Sequence, residues 1–170
     1  MPEREETDFF HGPEVYASGT CFNAKTAGLH TVTSGHTLGL NAVEGGMLKG
    51  TRIVEIEALG PAPFAGMLLA DLGADVIVVH RKQAPMPGLP ERSLLDRGKR
   101  SIALDLRDAG DVAVLMRLIA TADGLIEGFR PGVMERLGLG PEACLAVNPK
   151  LVYGRMTGWG QDGPLARTAG

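Results

Sequence analysis

The sequence is short of the residues that mark several common functions. There are only two cysteines, Cys21 and Cys144. They form no CxxC, so a zinc site or a thioredoxin-type motif has no support. Two thiols so far apart read as free cysteines in a reducing, cytoplasmic compartment. No apolar run approaches the ~20 residues a membrane-spanning helix needs. Net charge is -3 over 170 residues, with no acidic or basic block. That balance gives no electrostatic case for nucleic acid as a partner. The first ten residues, MPEREETDFF, lack the apolar core of a secretory signal. Known catalytic signatures are missing too, with neither a GxSxG elbow nor an HExxH pair.

Turn formers, by contrast, are abundant: 24 Gly and 11 Pro. Hydrophobic residues make up 44% of the chain, enough to argue against general disorder. Residues 1–46 are rich in Gly, Thr, Ser and His and sustain neither a strand nor a helix period, so their order is the least predictable. The pattern becomes regular after Met47. Strands are expected at Arg52–Ile56, Val76–Val79, Ser101–Leu104, Leu125–Ile126 and Leu151–Met156. The Val76–Val79 run is wholly apolar, as a parallel strand buried on both faces requires. Helices are expected at Phe64–Leu72, with Gly73 ending it, and at Asp108–Ala122, where Val112, Leu115, Met116, Leu118 and Ile119 share one side. Short helices follow at Pro131–Leu137 and Pro141–Val147. Gln83–Glu91, with three prolines, reads as a loop. Strands alternating with helices predict an α/β fold, a Rossmann-like parallel sheet with flanking helices. Ligands of such sheets sit at the C-terminal strand ends.

Those ends carry the informative residues. Arg81, Arg107 and Arg130 each follow a strand, and Arg136 comes soon after Arg130. Guanidinium forks at these positions suit a ligand with several phosphates. The competing reading is that strand ends are exposed and arginine is common there. The loop Leu59-Gly60-Pro61-Ala62-Pro63 matches no nucleotide-binding glycine motif, and its prolines remove backbone donors. It reads either as a close-approach turn shaping a ligand channel or as a plain structural turn. Arg97-Gly98-Lys99-Arg100 reads as a solvated basic loop. His80 and Asp105 stand at strand ends with nothing to mark them as catalytic, and Asp162 lies in a loop. No catalytic residue and no metal ligand is nominated.

Several segments in series carry a resemblance. They are Leu48 to Glu55, Gly60-Pro61-Ala62-Pro63, Asp71 to Val76, and Arg97 to Leu106. Stronger still are Glu127-Gly128-Phe129-Arg130-Pro131-Gly132-Val133, Glu135 to Gly140, and Met156-Thr157-Gly158-Trp159-Gly160-Gln161-Asp162-Gly163-Pro164. Together they resemble the family III CoA-transferase superfamily, and within it most closely the alpha-methylacyl-CoA racemases. The resemblance implies a large Rossmann-like domain that binds CoA, a smaller domain, and two chains interlocked as a homodimer. Racemases of the family invert the alpha carbon of 2-methylacyl-CoA thioesters through proton removal and return. Its transferases use an aspartate nucleophile instead.

Carried onto this chain, the resemblance makes Arg81 an arginine that contacts the CoA nucleotide. Leu104, Asp105, Leu106 and Arg107 become the strand-end segment lining that site. Gly128, Phe129 and Arg130 become the loop around the nucleotide and pantetheine, and Arg136 the next CoA-contacting arginine. Gly60 and Pro61 become the turn facing the CoA channel. No separate cofactor is implied, since coenzyme A is part of the acyl-CoA substrate. In racemases the Gly-Trp-Gly-Gln segment continues through Ala-Gly into His-Asp-Ile-Asn, whose His is a catalytic acid and base. This sequence stops at Gly170, one residue before that His. The expectation is therefore the N-terminal part of a larger CoA-binding domain, spanning residues 47–170 and inactive alone. A family III transferase fragment and a non-catalytic CoA-binding module are the alternatives. Residues 1–46 have no counterpart in the family; an extraneous upstream extension and a genuine appendage both stay open.

Overall fold

The computed structural model describes residues 14–17, 20–23, 46–82 and 93–168. Five strands form a parallel sheet: β3 (Arg52–Ile56), β4 (Asp75–His80), β5 (Arg100–Ala103), β6 (Gly124–Glu127) and β7 (Val152–Arg155). Two short strands, β1 (Glu14–Ala17) and β2 (Thr20–Asn23), pair antiparallel with each other, and β1 pairs antiparallel with β5. The order is β2-β1-β5-β4-β3-β6-β7. The chain thus builds outward from β3 through β4 to β5, then returns to lay β6 on the other side of β3. That reversal makes a topological switch point between β3 and β6, the place where open α/β sheets bind ligands. The expected loop at Gln83–Glu91 lies outside the described residues.

Strand composition follows from burial on two faces. Val54, Ile56, Ile77, Val79, Ile102, Leu104 and Leu125 enter the main core with Leu115 and Ile119 of α2 (Ala109–Ile119). Met134 of α3 (Val133–Arg136) and Cys144 of α4 (Pro141–Val147) complete that side. Ile53, Ala74 and Val76 turn to the other face, against Leu69 and Ala70 of α1 (Pro61–Asp71). Both faces of the central strands are covered, so β4 carries the unbroken apolar run Val76–Val79 rather than an alternation with polar residues.

Two helix starts differ from expectation at a proline. Pro61-Ala62-Pro63 is not a loop but the first turn of α1, which begins at Pro61 rather than Phe64. The N–H groups of a first turn have no intrahelical acceptor, so proline there forfeits nothing. Gly60, the N-cap, has φ 74°, a left-handed value that favours glycine. Pro131 likewise lies outside α3, whose N-cap is Gly132 at φ 81°.

The basic loop also differs. Arg97 pairs with Asp71 and Arg100 with Asp75, while Lys99 is buried. Its Nζ lies 2.7 Å from Glu55 Oε2 and donates to the Pro63 carbonyl at 2.9 Å. Each of the two side chains is 1% exposed. A Cβ on Gly66 of α1 would fall 1.8 Å from Glu55 Oε2, so only glycine leaves room for the pair. Burial pushes the Glu55 carboxyl above its ordinary value, and the Lys99 ammonium pulls it back.

Removing one member of such a pair strands the other charge in a dry site. Lys99→Met is expected to lower unfolding free energy by about 3–5 kcal/mol. Glu55→Leu/Lys99→Met, which removes both charges, is expected to recover much of that loss. Urea unfolding curves decide the matter: a single-variant loss under about 1 kcal/mol would refute the assignment.

Candidate functional site

Three connections project from the C-terminal edge of the sheet, and each is held by a carboxylate. After β3, Glu57 accepts from the Arg81 N–H at 2.9 Å and lies 3.3 Å from His80 Nδ1. After β5, Asp111 accepts from the Asp105 N–H and from Lys82 Nζ, both at 2.7 Å. Asp108 caps α2 by accepting from the Asp111 N–H at 2.9 Å, and Asp105 accepts from the Arg107 N–H at 3.0 Å. After β6, buried Glu127 accepts from the Phe129 N–H at 2.7 Å and from Arg155 Nε at 3.1 Å. Arg155 also reaches Glu135 at 2.7 Å. Desolvation pushes the Glu127 carboxyl above its ordinary value.

The loops after β3 and β6 meet closely. A Cβ on Gly128 would stand 2.9 Å from the Ala58 Cβ and 3.3 Å from the Ala62 Cβ. The close approach therefore belongs to Gly128. A Cβ on Gly60 would touch nothing, and glycine serves there through its dihedral alone.

A groove of about 460 Å³ lies between the start of α2 and α3, lined by Leu106, Arg107, Ala109, Val112, Arg136 and Leu137. It unites Leu106, Arg107 and Arg136, all nominated from sequence. Ala109, Val112 and Leu137 complete it. Leu106, Val112 and Leu137 also pack on the main core, which gives the groove a firm apolar floor. The Arg136 side chain folds back towards Gly132, with Nη1 3.4 Å from where a Cβ there would be. A second hollow of about 360 Å³ lies between Pro131-Gly132 and the Gln161–Arg167 segment beyond β7.

The remaining nominated residues take different places. Leu104 is 1% exposed and gives its side chain to the core, so only its backbone stands at the strand end. Phe129 packs partly buried against the core, while Arg81 and Arg130 are exposed and outside both hollows. Among the described residues no carboxylate pairs with Arg81, Arg107, Arg130 or Arg136, whereas Arg52, Arg97, Arg100 and Arg155 are all paired. The Glu57–His80 pair carries no sequence signal, because it depends on β3 and β4 lying side by side. No group of three or more His, Cys, Asp or Glu able to hold a metal occurs among the described residues.

The family model of CoA-transferase family III matches residues 48–170. The chain belongs to CoA-transferase family III. Within that family it is 51% identical over 124 residues to the alpha-methylacyl-CoA racemase of Mus musculus, covering 73% of this chain and 31% of the relative. The acetyl-CoA:oxalate CoA-transferase of Acetobacter aceti is 38% identical over 131 residues, covering 71% of this chain and 34% of its own. Among solved structures, Rv3272 from Mycobacterium tuberculosis is similar with a TM-score of 0.66 and 37% identity, over 73% of this chain and 37% of that one. A CAIB/BAIF family protein from Brucella suis gives 0.65 and 36%, over 73% and 36%. The chain spans about a third of the length of the curated relatives it matches. The family match includes the strand ends and grooves described above and leaves out the β1–β2 hairpin.

In this family member the Glu57–His80 contact has a measurable consequence. The imidazole lowers the Glu57 carboxyl from 4.5, and the carboxylate raises His80 from 6.5. A raised histidine contributes stability below its unfolded value and loses it as pH rises through the folded one. A lowered carboxylate contributes above its unfolded value and loses it as pH falls through the folded one. The stability advantage of the wild type over His80→Gln is therefore expected to peak between pH 4.5 and 6.5 and to decline on either side. Thermal or urea unfolding across pH checks this, and an advantage that grows above neutral pH would refute it.

Proposed function

We propose that this region captures the CoA moiety of an acyl-CoA thioester, in a racemase-type enzyme acting on 2-methylacyl-CoA. The observation that carries the reading is the pair of guanidinium groups, Arg107 and Arg136, unmatched by any described carboxylate and facing one groove with an apolar floor. Phosphate suits the two-point geometry of the guanidinium fork, and a flat heteroaromatic base suits the Leu106, Val112 and Leu137 surface. Exposed Arg81 and Arg130 would offer further guanidinium groups to other phosphates of the ligand. The Gly60–Pro61 turn and the Gly128–Phe129 loop would flank the pantetheine arm at the switch point, where the missing side chain of Gly128 lets the two connections close against each other at Ala58 and Ala62.

The racemase chemistry concerns a protein of the relatives' full length. A thioester acidifies the proton on its alpha carbon, so a base can remove it and an acid on the opposite face can return it. Donors at the thioester oxygen stabilise the enolate between those steps. Identity of 51% and 48% to two racemases, against 38% to the oxalate transferase, supports this substrate class. What this region contributes is anchoring, which converts an encounter between acyl group and catalytic residues into a positioned reaction. An interlocked homodimer and a cytoplasmic location accompany the reading. Family membership supports the first. The second is consistent with Cys144, a buried free thiol among the described residues.

Calorimetry with CoA tests the binding. Arg107→Ala and Arg136→Ala are each expected to weaken it about tenfold, and added salt to weaken it further. Arg117→Ala, on α2 and away from the groove, is the control expected to change nothing. Absence of CoA binding by the unaltered chain would end the proposal. For the full-length enzyme, deuterium uptake at the alpha carbon of a chiral 2-methylacyl-CoA in heavy water is expected, together with loss of optical activity. Transfer of CoA to a free carboxylate without that exchange would favour the transferase reading.

A further inference from the structure

Glu57, His80 and Arg81 form a cluster that the groove of Arg107 and Arg136 does not use. Glu57 follows β3 and His80 ends β4; the strands pair side by side, Ile56 opposite Val79. One carboxylate serves both neighbours, Oε1 at 3.3 Å from His80 Nδ1 and Oε2 accepting from the Arg81 N–H at 2.9 Å. It holds the ring by one nitrogen and fixes the backbone from which the Arg81 side chain departs. His80 Nε2 has no hydrogen-bond partner among the described residues, and 35% of the side chain is open to solvent. Strand alternation puts Glu55 and Glu57 on one face of β3, the face of α1.

The other charges around the ring are accounted for. Glu55 is paired with Lys99, and Asp96 acts on the imidazole only through its field. With the imidazole neutral, the Glu57 charge cancels that of Arg81. With the imidazole protonated, the three groups together carry one net positive charge at the C-terminal edge of the sheet.

We infer that His80 is a further phosphate-binding residue of this site, held by Glu57 and acting beside Arg81 on a phosphate of the ligand's nucleotide moiety. Glu57 is a positioning residue, since it acts through the ring and the backbone it holds. The inference rests on the CoA reading above and adds to it a proton-dependent contact. Binding strengthens below the raised titration point of His80 and loses that contribution as pH rises through it.

The test is calorimetric titration of this chain with CoA and with 3′-dephospho-CoA from about pH 5.5 to about pH 9, a range that spans imidazole titration. The unaltered protein, His80→Gln, Glu57→Gln and Arg136→Ala are compared. The ratio of unaltered to His80→Gln affinity cancels the titration of the ligand's own phosphates. That ratio is expected to be about tenfold at the acid end and to approach unity at the alkaline end. In the Glu57→Gln background the same transition moves to lower pH. Loss of the ratio with 3′-dephospho-CoA assigns the contact to the 3′-phosphate; its persistence assigns it to the pyrophosphate. Equal affinities for the unaltered and His80→Gln proteins at every pH, with Arg136→Ala still weakening binding, overturn the inference and leave the CoA reading standing. No CoA binding by the unaltered protein overturns both. Should His80→Gln fail to fold, NMR titration of the His80 ring in the unaltered protein tests the same contact. CoA must raise its midpoint, and an unmoved midpoint refutes the contact.

Discussion

Lys99 places its ammonium between the Glu55 carboxylate and the Pro63 carbonyl, where water barely reaches. Desolvating two such charges costs more than an exposed pair ever returns, so the contact adds little net stability. What it provides is a unique arrangement. Three separate pieces, the middle of β3, the first turn of α1 and the approach to β5, must stand in one relation for the charges to meet. Gly66 enforces the register further, because a side chain in its place would occupy the position of the carboxylate. Moving α1 by one residue would bring Ala65 or Met67 over Glu55 and expel it.

The candidate site inherits that order. Glu57 lies two residues beyond Glu55, so strand alternation returns it to the same face, next to His80. The first turn of α1, pinned through Pro63, brings Ala62 against Gly128, and this joins the loops after β3 and β6 at the switch point. Glu127 then ties the loop after β6 to Arg155 of β7 and, through Arg155, to Glu135 of α3. Arg136 is the neighbour of that anchored residue. A chain of carboxylates thus runs from the buried pair to the groove, each one consuming a backbone N–H or a cation that would otherwise leave its loop loose.

Much of this architecture is legible in the sequence. The run Val76–Val79 announces a strand buried on both faces because nothing polar interrupts it, and α2 announces itself by the spacing of Leu115 and Ile119. The arginines at strand ends and the motifs around Gly128 and Arg136 point to the groove. Partnerships across the sequence are not legible. Lys99 reads as one of several exposed cations until β3 and its loop are placed together, since Glu55 is 44 residues away. His80 looks unremarkable until parallel register sets Glu57 beside it. The start of α1 escapes a reading by composition, which takes proline for a breaker, whereas its cost vanishes in a first turn. The β1–β2 hairpin rests on backbone pairing to β5, which no periodicity in the head of the chain betrays.

The distribution of charge departs from what its total suggests. At the N-terminal end of the sheet, Asp75 at the start of β4 pairs with both Arg52 at the start of β3 and Arg100 at the start of β5. At the opposite end, Glu127 and Glu135 occupy Arg155, but Arg81, Arg107, Arg130 and Arg136 meet no described carboxylate. The helices α1 and α2 both begin at that end, after Gly60 and Asp108, so the positive poles of their dipoles add to the same side. Asp108 and Asp111 spend their carboxylates on backbone N–H groups and Lys82 rather than on the arginines. A chain of net charge -3 therefore keeps four guanidinium groups at one edge of the sheet that pair with no described carboxylate. An anion is drawn to local potential at short range, because solvent and salt screen the remainder of the surface beyond about 10 Å. The placement of unpaired guanidinium groups, more than the overall charge, determines which ligands such a sheet attracts.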